Sequence, residues 1–163
     1  MKPDSDLYFI ALLPPQEIQD EITKIKHDFA DNYDSHAALK SPPHVTLHPP
    51  FEWFNADLPQ LEQSLQEFVR GYMPIPIRLS GFAAFPPRVI YVDVIQTPEL
   101  MQIYQGLQVH LATTFNLVDS QSQYRSFTPH VTVAFFFFLK AAFKDAWMQY
   151  KTRSIAFEFA TPA

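Results

Sequence analysis

The chain has no cysteine at any of its 163 positions, which removes thiolate nucleophiles, disulfides and thiolate metal sites together. It also lacks an excess of positive charge: 12 basic side chains against 17 acidic ones give a net charge of -5 and an isoelectric point near 5.6. Such a surface gains little from counterion release on a long polyanion, so tight, sequence-blind coating of nucleic acid is not expected. A small or end-on phosphorylated ligand stays compatible, because a local site can be positive while the whole is not. Long apolar runs are missing as well. The longest apolar-rich stretch, residues 131–139 with four consecutive phenylalanines, is far too short to span a bilayer and reads as a strand buried on both faces. A polar start followed by a short apolar segment before Pro14-Pro15 predicts neither a signal peptide nor an anchor. The missing thiols fit a reducing cytosol, so a cytoplasmic protein with no membrane partner is expected.

What is present is enough for a sizeable interior: 47% of the residues are hydrophobic and 15% aromatic. The length suits one ordinary domain, or two fused half-size lobes sharing a core. Along the chain, residues 7–13 read as a buried strand, and Pro14-Pro15 stop it and open a helix. Ile18, Ile22, Ile25 and Phe29 then form an apolar stripe at helical spacing. A polar loop covers residues 31–43, and the strand after it is expected to end or become an edge at Pro49-Pro50. Asp57 reads as an N-cap before a helix with Leu61, Leu65, Phe68 and Tyr72 on one face. Residues 75–82 read as a strand, and Phe85-Pro86-Pro87 as a rigid connector between halves 1–85 and 86–163.

The second half repeats the order. Residues 88–95 read as a strand, and Thr97-Pro98-Glu99 is a strong helix start, with a stripe of Leu100, Ile103, Leu107, Leu111 and Phe115. A polar loop over 119–126 leads to another strand, a short helix over 139–150 with Phe143, Trp147 and Tyr150 inward, and a last strand over 154–159. Strand, helix, loop, strand, helix, strand thus occurs twice, an internal duplication of about eighty residues. The expected fold is α+β, one domain over 1–163 made of two pseudo-symmetric lobes. Two antiparallel sheets would face a central cleft with helices on the outside.

One four-residue word stands at the same place in both halves: Pro43-His44-Val45-Thr46 and Pro129-His130-Val131-Thr132. In an extended strand the histidine and threonine of each word point one way and the valine the other. Each word is therefore an imidazole beside a hydroxyl on one wall. Two facing walls would put two acid/base groups and two hydroxyl donors around one small anion, and a phosphate diester fits that description. Opening such an ester without a metal requires one group to take a proton from the attacking oxygen and another to give one to the leaving oxygen. Histidine titrates near neutrality and can do both. Threonine hydroxyls can donate to the non-bridging oxygens, where charge grows.

PHVTLHPPF and FTPHVTVAF resemble the duplicated His-x-Thr signature of the two-histidine (2H) phosphoesterase superfamily, which includes bacterial RNA 2′,3′-cyclic phosphodiesterases also known as 2′-5′ RNA ligases. The resemblance extends over the whole chain through element order. It implies a bilobal fold and metal-independent opening of 2′,3′-cyclic phosphates on RNA ends or small cyclic nucleotides. It also implies His44 and His130 as the catalytic pair and Thr46 and Thr132 as phosphate binders. Where relatives often carry a basic residue after the second motif, Phe135 to Phe138 stand here. Basic help is then sought at Arg88, which resembles an arginine opening the corresponding strand in relatives, and at Lys40 and Arg125, just upstream of the two words. For each of these, a solvated surface charge is the competing reading.

His48 would share a strand face with His44 and Thr46, as a substrate contact or as a residue capping the strand end. Its counterpart is Ala134, so it is not part of the duplicated machinery. A metal site from His44, His48 and His130 is disfavoured, because no carboxylate repeats with the motif and Pro49 disturbs the strand. No cofactor is expected. His27, His36 and His110 have no repeated context and read as surface residues. Of the aromatics that could stack on a base, Phe82, Phe85, Tyr91, Tyr124 and Phe136, the one in polar loop beside Arg125 is Tyr124, the preferred candidate. A non-catalytic capture module for a phosphorylated ligand or RNA end is the competing function, and a metal-dependent hydrolase a third.

Overall fold

A computed structural model describes residues 4–121, 126–137 and 140–161. Strand β1 (Ser5–Leu12) leads into helix α1 (Gln16–Tyr33), and a short 3-10 turn (Ala37–Lys40) precedes β2 (Val45–Phe54). Helix α2 (Leu58–Arg70) and strand β3 (Ile75–Phe85) close the first half. The second runs β4 (Val89–Val94), α3 (Pro98–Phe115), β5 (His130–Phe135), α4 (Lys140–Tyr150) and β6 (Ala156–Thr161). The fold is α+β with two antiparallel sheets, a two-stranded β1-β2 ribbon and a four-stranded sheet in the order β5-β4-β3-β6.

Local chemistry accounts for the elements. In β3 the period-two alternation buries Ile75, Ile77 and Leu79 and exposes Pro76, Arg78 and Ser80, as a half-covered strand requires. The β3 ladder then slips between Leu79 and Phe82, where Gly81 sits at φ +76°, a conformation that glycine adopts without Cβ strain. Helix α3 starts as its sequence dictates, with the Thr97 hydroxyl accepting from the Leu100 amide at 3.2 Å. Leu100, Ile103, Leu107 and Leu111 are buried along it. Asp57 does occupy the cap position of α2, but its side chain accepts no helix amide. The residues before it already turn as a 3-10 helix, which takes up that end.

Several expectations change, beginning with the first strand, which is not a buried one: no β1 residue is fully buried and Leu7 is 73% exposed. Pro49 and Pro50 do not end the first word's strand, which continues to Phe54, but they do sit on an edge strand, the other arrangement expected, since β2 pairs with β1 alone. The β1-β2 ladder steps over them, pairing Ile10 with His48 and Tyr8 with Phe51, so the two missing amides fall where no ladder bond is needed. The second word's strand stops at Phe135 instead of running through the phenylalanines: Phe136 folds into the core at 4% exposure and Phe137 turns outward at 56%. Finally, the Phe85-Pro86-Pro87 connector is the tip of a β3-β4 hairpin, closing with Phe85 opposite Val89. The third strand of the first half lies hydrogen-bonded between β4 and β6. The four-stranded sheet is therefore continuous across the boundary between halves.

Helix α1 packs on β5, and α3 packs on β2 and β3, so each long helix covers the motif strand of the opposite half. The buried side chains make one cluster drawing on both halves, from Ile22, Phe29 and Val45 to Leu107, Val131 and Phe159. No helix among the described residues is long and apolar enough to cross a membrane.

Candidate active site

The two words enter β2 and β5 with the same burial sequence. Pro43 and Pro129 are buried, His44 and His130 half-buried, Val45 and Val131 fully buried, and Thr46 and Thr132 half-buried. The valines anchor each strand in the core, which turns each imidazole and hydroxyl to the outer face. Immediately after each threonine the ladder slips by one residue. Ala11 pairs with Thr46 but Ile10 with His48; Tyr91 pairs with Thr132 but Ile90 with Ala134. Leu47 and Val133 are thus the extra residues of two matching β-bulges, a device that re-aims a strand beside a site.

The bulge corrects the reading of His48. One inserted residue reverses the alternation, so His48 points inward with 2% exposure, as does its counterpart Ala134 at 0%. His48 Nδ1 donates to Gln108 Oε1 at 2.9 Å and its ring meets Phe51 edge-on at 5.5 Å. It is a bridge from β2 to α3 and does not share the face of His44 and Thr46. The three imidazoles of the disfavoured metal triad therefore do not converge.

Both motif rings are held alike. His44 Nδ1 lies 2.7 Å from the Pro42 carbonyl oxygen, and His130 Nδ1 lies 2.7 Å from that of Thr128. A carbonyl only accepts, so Nδ1 carries the proton in both rings and the lone pair of the neutral form sits on Nε2. No described residue hydrogen-bonds to either Nε2. Burial pushes His44 below the ordinary histidine value; the Pro42 hydrogen bond opposes this, and the charges of Lys26 and His130 add to it.

Aromatic rings flank them. Phe9 lies 4.8 Å from the His44 ring, and Phe85 and Tyr91 lie 5.2 Å and 5.1 Å from that of His130. Thr46 from one word and His130 from the other line a single cavity of about 660 Å³, walled by Pro49, Phe85, Tyr104 and Phe127. Tyr104 stacks on Phe127 at 3.9 Å, which steadies the segment whose Thr128 carbonyl holds His130. The cavity is one-sided. Opposite Thr46 stands the small Ala11, whereas Tyr91, 6% exposed, fills the equivalent place opposite Thr132.

The remaining candidates scatter. Phe85 borders the cavity, but Phe82 packs edge-on against Tyr150 at 5.0 Å and Phe136 against Phe143 at 5.8 Å, in the core. Arg88 is exposed at the hairpin end, and its carbonyl accepts from the Phe136 amide at 2.7 Å. Lys40 borders a separate hollow of about 350 Å³ with His36, Phe135 and Phe137. Tyr124 and Arg125 lie outside the described residues. His27 is exposed, and His36 is exposed and paired with Asp34 at 2.9 Å. His110 is not a surface residue: it is half-buried, hydrogen-bonded to Ser64 at 2.7 Å and packed on Phe68.

Phe9, Tyr104 and Phe127 escaped the sequence reading as undistinguished aromatics; Lys26 and Gln108 escaped it too, although they carried a signal. Each interrupts an apolar helical stripe, Lys26 four residues after Ile22 and Gln108 three before Leu111. A polar side chain on a buried face was the available signal.

A family model described as the 2′-5′ RNA ligase superfamily matches residues 14–160. A protein of Bacillus licheniformis named "Putative phosphoesterase" is 32% identical over 129 residues, covering 78% of this chain and 69% of its own. A protein of Geobacillus thermodenitrificans with the same name is 31% identical over 153 residues, covering 93% and 81%. Among solved structures, that of TT0787 of Thermus thermophilus superposes with a TM-score of 0.60 at 17% identity, over 95% of this chain and 83% of that one, a likeness of fold.

Proposed function

The chain belongs to the 2′-5′ RNA ligase superfamily of 2H phosphoesterases, and from that premise we propose that it opens 2′,3′-cyclic phosphates of RNA ends or small cyclic nucleotides without a metal. His44 and His130 are the acid/base pair, and Thr46 and Thr132 bind the phosphate. One observation carries this reading. Two imidazoles, each locked through Nδ1 with no hydrogen bond from Nε2 to a described residue, stand beside hydroxyls on matching strand faces, and Thr46 and His130 share one cavity.

In the reaction one Nε2 takes a proton from water as its oxygen bonds to phosphorus. The bond from phosphorus to a ribose oxygen breaks, and the other histidine protonates that oxygen. The threonine hydroxyls donate to the non-bridging oxygens. A ribose hydroxyl in place of water would run the reverse joining. The net charge of -5 and the exposed Phe9 and Phe85 beside the histidines, 42% and 39% accessible, favour small substrates over long RNA. The absence of thiols is consistent with work in the cytoplasm.

The test is turnover of a panel of 2′,3′-cyclic nucleotides in the presence of chelator. The wild type is expected to form product, and His44→Ala and His130→Ala each to lose about two to four orders of magnitude. Undiminished turnover in both variants overturns the reading. Binding by the wild type without turnover would make the cleft a capture module instead.

A further inference from the structure

Lys26 is a buried lysine, 2% exposed, that no described carboxylate accompanies. Its Nζ donates to the Ala38 carbonyl at 2.8 Å and to the Ser41 carbonyl at 2.9 Å. These bonds pin the last turn before the first word. Pro42, next in sequence, supplies the carbonyl that holds the His44 ring.

The second half offers an instructive comparison. Helices α1 and α3 are both 18 residues long and both close on a left-handed residue, Asp34 and Asn116. Lys26 and Gln108 each stand eleventh in their helix. Gln108 also donates to a carbonyl, that of Leu47 at 2.9 Å. The first word is therefore gripped upstream by a cation and downstream by a neutral amide. An amide would suffice for grip alone; the ammonium adds a charge beside one histidine of the pair.

Resting on the function proposed above, we propose that Lys26 is a positioning residue for His44: it fixes the carbonyl that orients the ring and holds the imidazole in its neutral, proton-accepting form, making His44 the base and His130 the acid. The groups acting on His44 are the Lys26 ammonium from α1, the His130 imidazole from β5 and the Phe9 ring from β1. Asp119 lines the cavity with Thr46 and His130, but no carboxylate is among the groups that shift His44. Burial lowers His44 most, and Lys26 and then His130 act in the same direction, against only the Pro42 hydrogen bond. In the reaction the water proton then goes to His44 Nε2, and the His130 proton goes to the departing ribose oxygen.

The experiment is an NMR titration of the His44 ring in the substrate-free protein, with the resonance identified by His44→Ala. The wild-type midpoint is expected below the ordinary 6.5. Lys26→Met and Lys26→Gln should raise it by about half a unit or more, and Lys26→Arg should leave it in place. The acid limb of kcat/KM should move in parallel. Should the methionine variant fail to fold, the glutamine variant, which keeps a donor, is read in its place. A midpoint unmoved by loss of the charge, or raised as much by arginine, overturns the proposal, as does an acid limb that ignores the shift. The titration needs no substrate, so its failure is separable from a failure of the phosphoesterase reading.

Discussion

Gln108 and His48 meet at 2.9 Å between α3 and β2, with the imidazole Nδ1 donating to the amide oxygen. The orientation is fixed from the other end, because the amide nitrogen donates to the Leu47 carbonyl, also at 2.9 Å. Leu47 is the bulged residue, whose backbone lacks a regular ladder position. One side chain thus satisfies the defect that sets the orientation of Thr46 immediately before it.

Gln108→Ala leaves the Leu47 carbonyl and the His48 donor without partners in the interior. The expected cost is about 1–3 kcal/mol per orphaned group at most, read as a lower urea midpoint with unchanged slope. Turnover should fall while the fold persists. A variant as stable as the wild type would show that the bulge is held by packing alone.

The threonines test the phosphate arrangement separately from the histidines. Thr46→Ala or Thr132→Ala should lower kcat by roughly 10²-fold, the scale of one lost donor to a developing charge. Serine at either place should restore most of it, because the hydroxyl and not the methyl is needed. Full activity in both alanine variants would remove the threonines from the reaction.

The repeated word, the order of elements and the helical stripes were legible because they rest on periodicity and on strong local signals such as Thr97-Pro98-Glu99. The face of His48 was not, because alternation carries no record of an inserted residue; only the ladder pairing reveals that Leu47 is extra. Pro49-Pro50 left two outcomes open, an end or an edge, and β2 is an edge strand that runs past them because proline stops a strand only where its amide would be used. The placement of β3 between β4 and β6 is a long-range pairing that no local pattern encodes. The phenylalanine run reads as one apolar block, yet its members part ways at Phe136 and Phe137 because the core ends there.

The unequal pairing of Ala11 with Thr46 and Tyr91 with Thr132 predicts that the ligand enters on the Thr46 side. Ala11→Tyr would give the first half the bulk of the second, opposite Thr46, which lines the cavity. Its expected effect is a KM raised by about tenfold or more with little loss of stability, since Ala11 is half-buried on the outer face. That change corresponds to about 1.4 kcal/mol of lost binding. Tyr91→Ala, by contrast, empties a buried position and should cost about 3 kcal/mol in folding. An unchanged KM in Ala11→Tyr would place the ligand elsewhere in the cleft.

Lys26 also gives the fold a pH dependence of definite sign. Burial lowers its pKa from 10.5 to about 8, so between those values the unfolded chain binds more protons than the folded one. Stability therefore rises with pH from about 8 toward 10.5, as the ammonium that was expensive to bury loses its charge. The difference of about 2.5 pH units corresponds to an upper bound on the order of 3 kcal/mol. Tyr91, Tyr104 and Tyr150 are shifted upward by burial and act oppositely near and above pH 10, where the unfolded chain ionises first. The clean reading is thus the difference between wild type and Lys26→Met in urea unfolding from about pH 8 to 10. The wild type should gain stability relative to the variant across that interval, from whatever offset the lost Ala38 and Ser41 bonds impose. Parallel curves would mean that the lysine already titrates at its ordinary value, and that burial does not disfavour its charge.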